Sequence, residues 1–189
     1  YQIETTSENL SHFEMLKRLE LTRSDFYHIK RHCETIGIRF ISTPYSVSAV
    51  DLLEDLDVEE YKIASADIID IPLLRRVSET KKPVILSLGM ASLGEVEVAL
   101  KCFEGYPEDQ LVLLHCVSNY PCSDSSVNLR VIEALSKSFP YAVGFSDHTV
   151  GNTSAVGSVV LGGSVVEKHF TSDKDLEGPD HRASCDPIE

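Results

Sequence analysis

Two histidines near the end of the chain have the residue type and the sequence context expected of metal ligands. His148 lies in the run SDHT (146–149), and His169 lies in the run EKHF (167–170). Both follow aliphatic runs that we predict to be parallel strands, so both imidazoles would reach the same edge of a sheet. Neutral imidazole suits Mn, Fe or Zn better than Mg or Ca. The pattern indicates one divalent cation, but this spacing matches no local ligand motif, and structural roles are the alternative.

Two acidic residues would lie beside these histidines. Alternate residues of a strand share a face, so Glu167 is expected beneath His169, where it would support a metal-bound imidazole or form a structural salt bridge. Asp180 follows a Gly-Pro turn and would bind a metal water, act as a general base or cap a turn. We interpret His115 and His181 as structural or surface histidines.

A lysine within a predicted strand indicates an anion site. Lys62 lies in the run EYKI (60–63). A cation at this position in a strand is costly unless it serves a phosphate or carboxylate ligand. A salt bridge and a Schiff-base nucleophile are the alternatives. Hydroxyl side chains follow five predicted strands, and each alone is typical of a turn or cap. Together they resemble an anion cradle made by Thr43, Ser65, Ser87, Ser118 and Ser146.

The elements that must position these residues alternate in type along the chain. Short β-branched or aliphatic runs alternate with amphipathic stretches of helical period, which is typical of parallel βαβ units. We predict strands at 36–42, 61–65, 84–87, 112–117, 142–146 and 165–170. We predict helices at 8–19, 21–35 (capped by Thr22 and Asp25, ending at Gly37), after the Ser92/Glu95 capping pair, and at 127–139 and 153–161.

The polar strand ends favour an α/β barrel over a doubly wound sheet. In a barrel every strand ends at the same mouth, whereas an open sheet concentrates its site where the strand order reverses. No GxGxxG or GxxxxGK[ST] run occurs in the sequence, which weakens a Rossmann or P-loop interpretation. We therefore predict an incomplete (β/α)8 TIM barrel with about six of its eight strands, the two N-terminal strands being missing.

Composition excludes several classes of function. Thirty acidic residues against 17 basic ones give a formal net charge of −13, which argues against binding nucleic acid or an anionic membrane surface. Apolar runs are too short to span a bilayer. Five scattered cysteines without a CxxC pair argue against a disulfide framework or a structural zinc site. We expect one domain over 1–189 in a reduced, cytoplasmic protein.

Six motifs occur in order along the chain, and together they closely resemble the sialic acid synthase family. They are KIASAD (62–67), ILSLGM (85–90), LHCVSNYP (114–121), GFSDHT (144–149), EKHFT (167–171) and GPDH (178–181). This family includes the N-acetylneuraminate, legionaminate, pseudaminate and spore-coat polysaccharide synthases. The resemblance runs from about Asn9 to Glu189 and therefore covers almost the whole chain.

The resemblance implies a barrel enzyme that condenses phosphoenolpyruvate with an N-acylated aldose such as N-acetylmannosamine. The products are a nine-carbon 2-keto sugar acid and phosphate. It implies a divalent metal at His148 and His169, with Mn²⁺ expected and Mg²⁺ or Co²⁺ as alternatives. Phosphoenolpyruvate would be held by Lys62, Thr43, Ser65, Ser87, Ser118 and Ser146, the sugar would contact Tyr120, Asp67 and Asn9, and Asp180 would position a metal-bound water. Asp180, Lys62 and Asp67 are thus the expected catalytic residues.

The same resemblance sets expectations for the whole protein. Family members act as homodimers with a C-terminal antifreeze-like domain, and that domain is absent from this chain. Asp67 and Ser118 stand where some members have Glu and Asn, which leaves the choice of sugar open. Two other functions are retained as hypotheses: a Schiff-base aldolase using Lys62, and a non-catalytic carbohydrate-binding barrel remnant. A barrel lacking two strands should be poorly soluble or only partly folded by itself.

Overall fold

The centre of the molecule is a parallel β-sheet. The structure, a computed structural model, describes residues 11–189. Five strands form one sheet in this part of the chain, and every neighbouring pair is parallel. The strands are β1 (Tyr61–Ile63), β2 (Val84–Ser87), β3 (Leu111–Cys116), β4 (Ala142–Asp147) and β5 (Val166–Lys168).

The order of the strands is that of a barrel. They lie side by side as β1-β2-β3-β4-β5, in the order of the chain. A doubly wound sheet would show a reversal of strand order, and none occurs among the described strands. The protein is therefore an α/β fold built on a curled half-barrel, in agreement with the predicted incomplete barrel, but with five strands among the described residues where about six were predicted.

Helices alternate with the strands and cover the outer face of the sheet. The α-helices among the described residues are α1 (His12–Leu19), α2 (Arg23–Ile36), α3 (Val47–Asp55), α4 (Ile71–Glu79), α5 (Leu93–Leu100), α6 (Val131–Ser138) and α7 (Thr153–Val160). Short 3₁₀ turns occur at Ser65–Ile69, Lys101–Phe103, Glu108–Gln110, Asp124–Ser126 and His181–Ala183. No described helix is both long and apolar enough to cross a membrane.

Local capping explains why two of the predicted helices begin where they do. Thr22 and Asp25 form a reciprocal capping box at the start of α2, and Ser92 and Glu95 form one at the start of α5. Each box satisfies backbone N–H groups that the first helical turn leaves without partners. Gly37 ends α2 with φ of 75°, a left-handed conformation that glycine adopts without steric cost. These sequence predictions are confirmed.

The predicted strand at 36–42 is wrong. Ile36 is the last residue of α2, and the segment 38–44 has no ladder of backbone hydrogen bonds. Arg39 holds this segment beside the start of β1 through ion pairs with Glu59 at 3.6 Å and Glu60 at 3.3 Å. The apolar pattern is present, but a strand also needs a neighbour with which its backbone can pair.

Other predicted bounds shift by a few residues. The helix predicted at 127–139 begins only at Val131, because Asn128 has a left-handed φ of 50° that interrupts a right-handed helix. The strand predicted at 165–170 is shorter and spans Val166–Lys168, while Phe170 forms an isolated bridge with Cys185. The start of the first predicted helix, at Glu8, lies outside the described residues.

The hydrophobic core lies between the sheet and the helices. Strand residues such as Ile63, Leu86 and Leu113 are fully buried, and they pack in one cluster with helix residues such as Leu73 and Ile132. Strands covered by helices have largely apolar sequences, as expected for a parallel sheet. The rigid sheet therefore fixes the places from which the strand ends project.

Candidate functional site

A cavity of about 560 Å³ opens at the carboxyl ends of the strands. In a β/α barrel this is the end where the loops after the strands build the active site. Ten of the residues that the sequence predicted for the site line this cavity: Thr43, Lys62, Ser65, Ser87, Ser118, Tyr120, Ser146, His148, His169 and Asp180. The structure thus brings together side chains that lie more than a hundred residues apart in sequence.

His148 and His169 lie next to each other at the ends of β4 and β5. Their ring centroids are 5.6 Å apart, and the ring planes are inclined at 72°. The Nδ1 of His148 donates a hydrogen bond to the Val117 carbonyl at 2.8 Å. Nε2 of the neutral ring then carries the lone pair, and its recorded neighbour is the Ser146 hydroxyl at 3.4 Å. A backbone carbonyl that orients the imidazole in this way is typical of metal-ligating histidines.

Both imidazoles are held in the neutral form. Burial is the largest cause of the lowered pKa of His148 and of the lowered pKa of His169. A metal ligand must be unprotonated, so a lowered pKa favours ligation near neutral pH. Tyr120 packs against both rings, with centroids 3.9 Å from that of His148 and 5.5 Å from that of His169. Burial raises the pKa of Tyr120 to about 12, so the phenol stays neutral beside them.

The residues present fit a divalent cation that also takes ligands from water or substrate. Among residues 11–189 no group of three His, Cys, Asp or Glu side chains is arranged to hold a metal. The two imidazoles supply two nitrogen donors, and Asp180 lies beside them, with Oδ2 at 4.0 Å from His169 Nδ1. The other carboxylate oxygen of Asp180 is buried without a hydrogen-bond partner. Such an orphaned oxygen is expected where an ion, a water or a substrate group completes the site.

Lys62, Glu167 and Ser146 form a connected polar group on the wall of the cavity. Lys62 projects from β1, is 9% exposed, and lies with Nζ 3.5 Å from Glu167 Oε2. The Ser146 hydroxyl donates to Glu167 Oε1 at 2.7 Å. The expectation that Glu167 supports an imidazole is not met, because its recorded partners are the lysine and the serine. Glu167 thus makes the salt bridge that was the structural alternative, and it makes it inside the cavity.

Further hydroxyl groups line the cavity around the loop after β2. Ser87 Oγ is buried with no hydrogen-bond partner, and Ser65 Oγ accepts a bond from the Gly89 backbone N–H at 2.9 Å. A Cβ at Gly89 would lie 2.5 Å from Ser118 Oγ and 2.8 Å from Ser65 Oγ. Glycine therefore keeps these hydroxyls close together and accessible. We call Ser65, Ser87, Gly89 and Ser118 the hydroxyl cradle.

Among the described residues, one predicted site residue does not line the cavity. Asp67 lies in the 3₁₀ turn Ser65–Ile69 after β1, and its Oδ2 is buried without a partner. Burial, with a smaller effect from Asp70, raises the pKa of Asp67. Asn9 lies outside the described residues.

The two histidines that were interpreted as structural have partners of their own. His115 donates from Nε2 to the Val127 carbonyl at 2.6 Å, and its ring stacks on Phe145. His181 Nδ1 lies 2.8 Å from Thr171 Oγ1. Neither side chain lines the cavity, in agreement with their interpretation.

Five further lining residues were not among the predicted site residues. They are Tyr45, Ala64, Ala66, Met90 and Cys116. Alternate residues of a strand share a face, so Cys116 lies on the same side as Ser118, and this alternation could have identified it. Tyr45 follows Thr43 by two residues, whereas Met90 reaches the cavity through a left-handed backbone conformation with φ of 65°, which no local pattern predicts.

Comparison with known proteins identifies relatives along the whole chain. The model of the NeuB family matches residues 1–189. The N,N'-diacetyllegionaminic acid synthase of Campylobacter jejuni is 41% identical over 191 aligned residues, covering 100% of this chain and 57% of that protein. The chain therefore spans about half the length of the curated relatives it matches.

Solved structures support both the fold and the relationship. The N-acetylneuraminic acid synthetase of Leptospira borgpetersenii, in complex with citrate, superposes with a TM-score of 0.91 at 34% identity, covering 100% of this chain and 66% of that one. A truncated 3-deoxy-D-arabino-heptulosonate 7-phosphate synthase of Thermotoga maritima superposes with a TM-score of 0.76 at 10% identity, covering 88% and 67%. The second likeness shows the fold alone.

Proposed function

The chain belongs to the NeuB family, and from that premise we propose that it condenses phosphoenolpyruvate with an N-acylated amino sugar. The products are a 2-keto sugar acid and phosphate. Its relatives are synthases of sugar acids such as legionaminic and N-acetylneuraminic acid. A Mn²⁺-type cofactor, a cytoplasmic location and a homodimeric complete protein are parts of the same proposal.

One observation carries the proposal: a cation, several hydroxyl groups and two imidazoles converge on one cavity. Lys62 supplies the positive charge, and the hydroxyl cradle supplies neutral donors, of which Ser87 has no partner of its own. A phosphate ester that also bears a carboxylate needs both kinds of group. A site for a neutral sugar alone would have no use for a buried lysine.

The chain's own residues account for the binding of both substrates. Lys62 and the cradle hydroxyls hold the phosphate and carboxylate of phosphoenolpyruvate, so that C3 faces the open-chain aldehyde of the sugar. Tyr120, which packs beside the two imidazoles, would lie along the sugar. His148 and His169 would hold a divalent cation, which when bound polarises the aldehyde oxygen as a Lewis acid.

The reaction balances with water as the third reactant. C3 of phosphoenolpyruvate forms a bond to the aldehyde carbon, and positive charge develops at C2. Water, held by Asp180, adds at C2, and one of its protons passes to the alkoxide that the aldehyde oxygen has become. Cleavage of the bond between C2 and the phosphate oxygen then releases phosphate, which takes the remaining hydroxyl proton, and leaves the 2-keto group. Lys62 stabilises the anionic groups by electrostatics throughout and needs no covalent bond to substrate.

The test is phosphate release by the purified full chain with Mn²⁺, phosphoenolpyruvate and a panel of N-acyl mannosamines, with the product identified by mass spectrometry. We expect a chelator to stop the reaction, and His148→Ala with His169→Ala to lower the rate by more than about 100-fold. The matched control is His28→Ala with His32→Ala, which changes two exposed histidines of α2 and should leave the rate unchanged.

Two results would overturn the proposal. Full activity of the double variant at His148 and His169 would remove the metal assignment. Borohydride trapping of pyruvate on Lys62 would instead support the Schiff-base aldolase. The amino group of Lys62 is already engaged by Glu167, so we expect no adduct.

A further inference from the structure

The last paired residues of β4 and β5 carry a buried ion pair that faces away from the cavity. The parallel register places Asp147 opposite Lys168, and Lys168 Nζ lies 2.9 Å from Asp147 Oδ2. The side chain of Asp147 is 0% exposed and that of Lys168 is 12% exposed. Neither residue lines the cavity, so direct contact with substrate does not account for the pair.

Both side chains of this ion pair also form hydrogen bonds with Thr149. Asp147 Oδ1 accepts from the backbone N–H of Thr149 and from its hydroxyl, both at 2.8 Å. Lys168 Nζ also donates to the Thr149 carbonyl at 2.8 Å. The pair therefore holds the backbone on both sides of His148, since Asp147 precedes that histidine and Thr149 follows it.

The location of the pair relates it to both imidazoles. His148 comes directly after Asp147, and His169 comes directly after Lys168, so both histidines begin where the strand pairing ends. Beyond this point their carbonyls accept from other segments, His148 from the Cys122 N–H and His169 from the Cys185 N–H, each at 2.8 Å. The side chains of Asp147 and Lys168 are thus a direct link between the two strand ends next to the histidines, one position closer to them than the Ser146–Glu167 hydrogen bond.

We propose that Asp147 and Lys168 are positioning residues that set the separation of the His148 and His169 imidazoles for a shared divalent cation. This inference rests on the metal site of the proposed function. A buried ion pair contributes little net stability compared with apolar residues of similar size, but a link between two strand ends restricts how far they can separate. Replacing a residue that orients a metal ligand typically changes the affinity for the metal by about 10- to 100-fold.

The variant that tests the proposal is Asp147→Asn with Lys168→Met, which removes both charges and leaves neither one buried alone. The matched control is Glu54→Gln with Lys82→Met. That ion pair, with Lys82 Nζ 2.7 Å from Glu54 Oε1, joins α3 to the segment before β2, at the amino ends of the strands. Mn²⁺ is titrated calorimetrically into the metal-free full chain, and thermal melting is recorded for each variant.

We expect the first variant to raise the Kd for Mn²⁺ by about 10- to 100-fold. The control should change the Kd by less than about twofold, even where its melting temperature falls as much as that of the first variant. Amide exchange in the metal-free protein should also accelerate at 148–150 and 169–171 in the first variant alone. Thr149→Val is a second test that applies even where the double variant does not fold. It keeps both charges and removes one hydrogen-bond donor to Asp147, so it should weaken Mn²⁺ binding in the same direction but by less.

The outcomes separate this inference from the proposed function. Wild-type Mn²⁺ affinity in both the double variant and Thr149→Val would overturn the positioning role, while loss of binding in His148→Ala with His169→Ala would leave the metal site standing. An equal loss of affinity in the control would show a merely structural effect and would also overturn it. Absence of Mn²⁺ binding in the unmodified protein would overturn the metal site and this inference together.

Discussion

Three buried histidines in this protein share the direction of their pKa shift but differ in what their nitrogens contact. Burial is the main reason that the pKa values of His115, His148 and His169 are all lowered. His115 uses Nε2 to donate to a backbone carbonyl, whereas His148 uses Nδ1 and keeps Nε2 for the cavity. A shifted pKa alone therefore does not distinguish these histidines, whereas their location does, since His148 and His169 line the cavity and His115 does not.

The lowered pKa of His115 predicts how stability depends on pH. Its buried ring resists protonation in the folded state, so the unfolded chain binds more protons once the pH falls below the ordinary value of about 6.5. Stability from this group is complete above that pH and is lost as the pH falls through the window between the ordinary and the lowered pKa. We expect His115→Gln, which keeps a donor for the Val127 carbonyl, to flatten the fall in the free energy of unfolding between about pH 7 and pH 5.

Denaturant unfolding of the metal-free protein across this pH range measures the effect. His148 and His169 still contribute in the variant, so a reduced slope is expected rather than none. His28→Gln, at an exposed position on α2, is the control and should keep the wild-type slope. A wild-type slope in His115→Gln would show that the buried ring does not contribute.

At the scale of elements, the loop after β2 shows why backbone path matters as much as side-chain type. Gly89 brings this loop so close to Ser118 and Ser65 that a methyl group would overlap both hydroxyls. Gly94, five residues later in α5, has its nearest neighbour at 4.0 Å. The two glycines are therefore a matched pair, one in the hydroxyl cradle and one in a helix.

We expect Gly89→Ala to weaken phosphoenolpyruvate binding by about tenfold or more, because overpacking a filled space typically costs about 1–3 kcal/mol. Gly94→Ala should leave binding unchanged and stabilise the protein by about 0.5–1 kcal/mol, since alanine is the better helix former. Calorimetric titration and thermal melting of both variants check this. Equal binding by the two variants would show that the cradle does not hold the anion.

The sequence predicted best what is decided locally. The caps at Thr22 and Ser92 depend on residues three positions away, so a short window contains the whole interaction. The strand at 36–42 was mispredicted because pairing depends on a distant neighbour, which an apolar pattern does not reveal. The partners of Glu167 were missed for the same reason, since Lys62 projects from β1, at the other edge of the sheet from β5. The cavity-lining residues were predictable because every parallel strand ends at one mouth, whereas the contribution of Met90 depends on a single backbone angle.

At the scale of the whole molecule, the described sheet has two edges and apolar surface near one of them. β1 and β5 each pair with one neighbour only among the described strands. Next to β5, α7 exposes Val156 at 63% and Val160 at 81%, one helical turn apart on the same face. Unpaired edges beside exposed apolar residues promote association between chains. The net charge of −13 opposes association, but salt screens this repulsion.

The 189-residue chain by itself should therefore associate, and more so as salt is raised. Val156→Lys with Val160→Lys should shift it towards monomer in sedimentation velocity, although the change lowers the net negative charge of −13 by two and thereby weakens repulsion. Ser138→Lys with Ser172→Lys changes the charge equally at exposed positions and should not reduce association. If charge alone governed association, both variants would associate more than the wild type. A monomeric wild-type chain with a sharp, cooperative melt would instead show that the open edges and the valine face are tolerated in water.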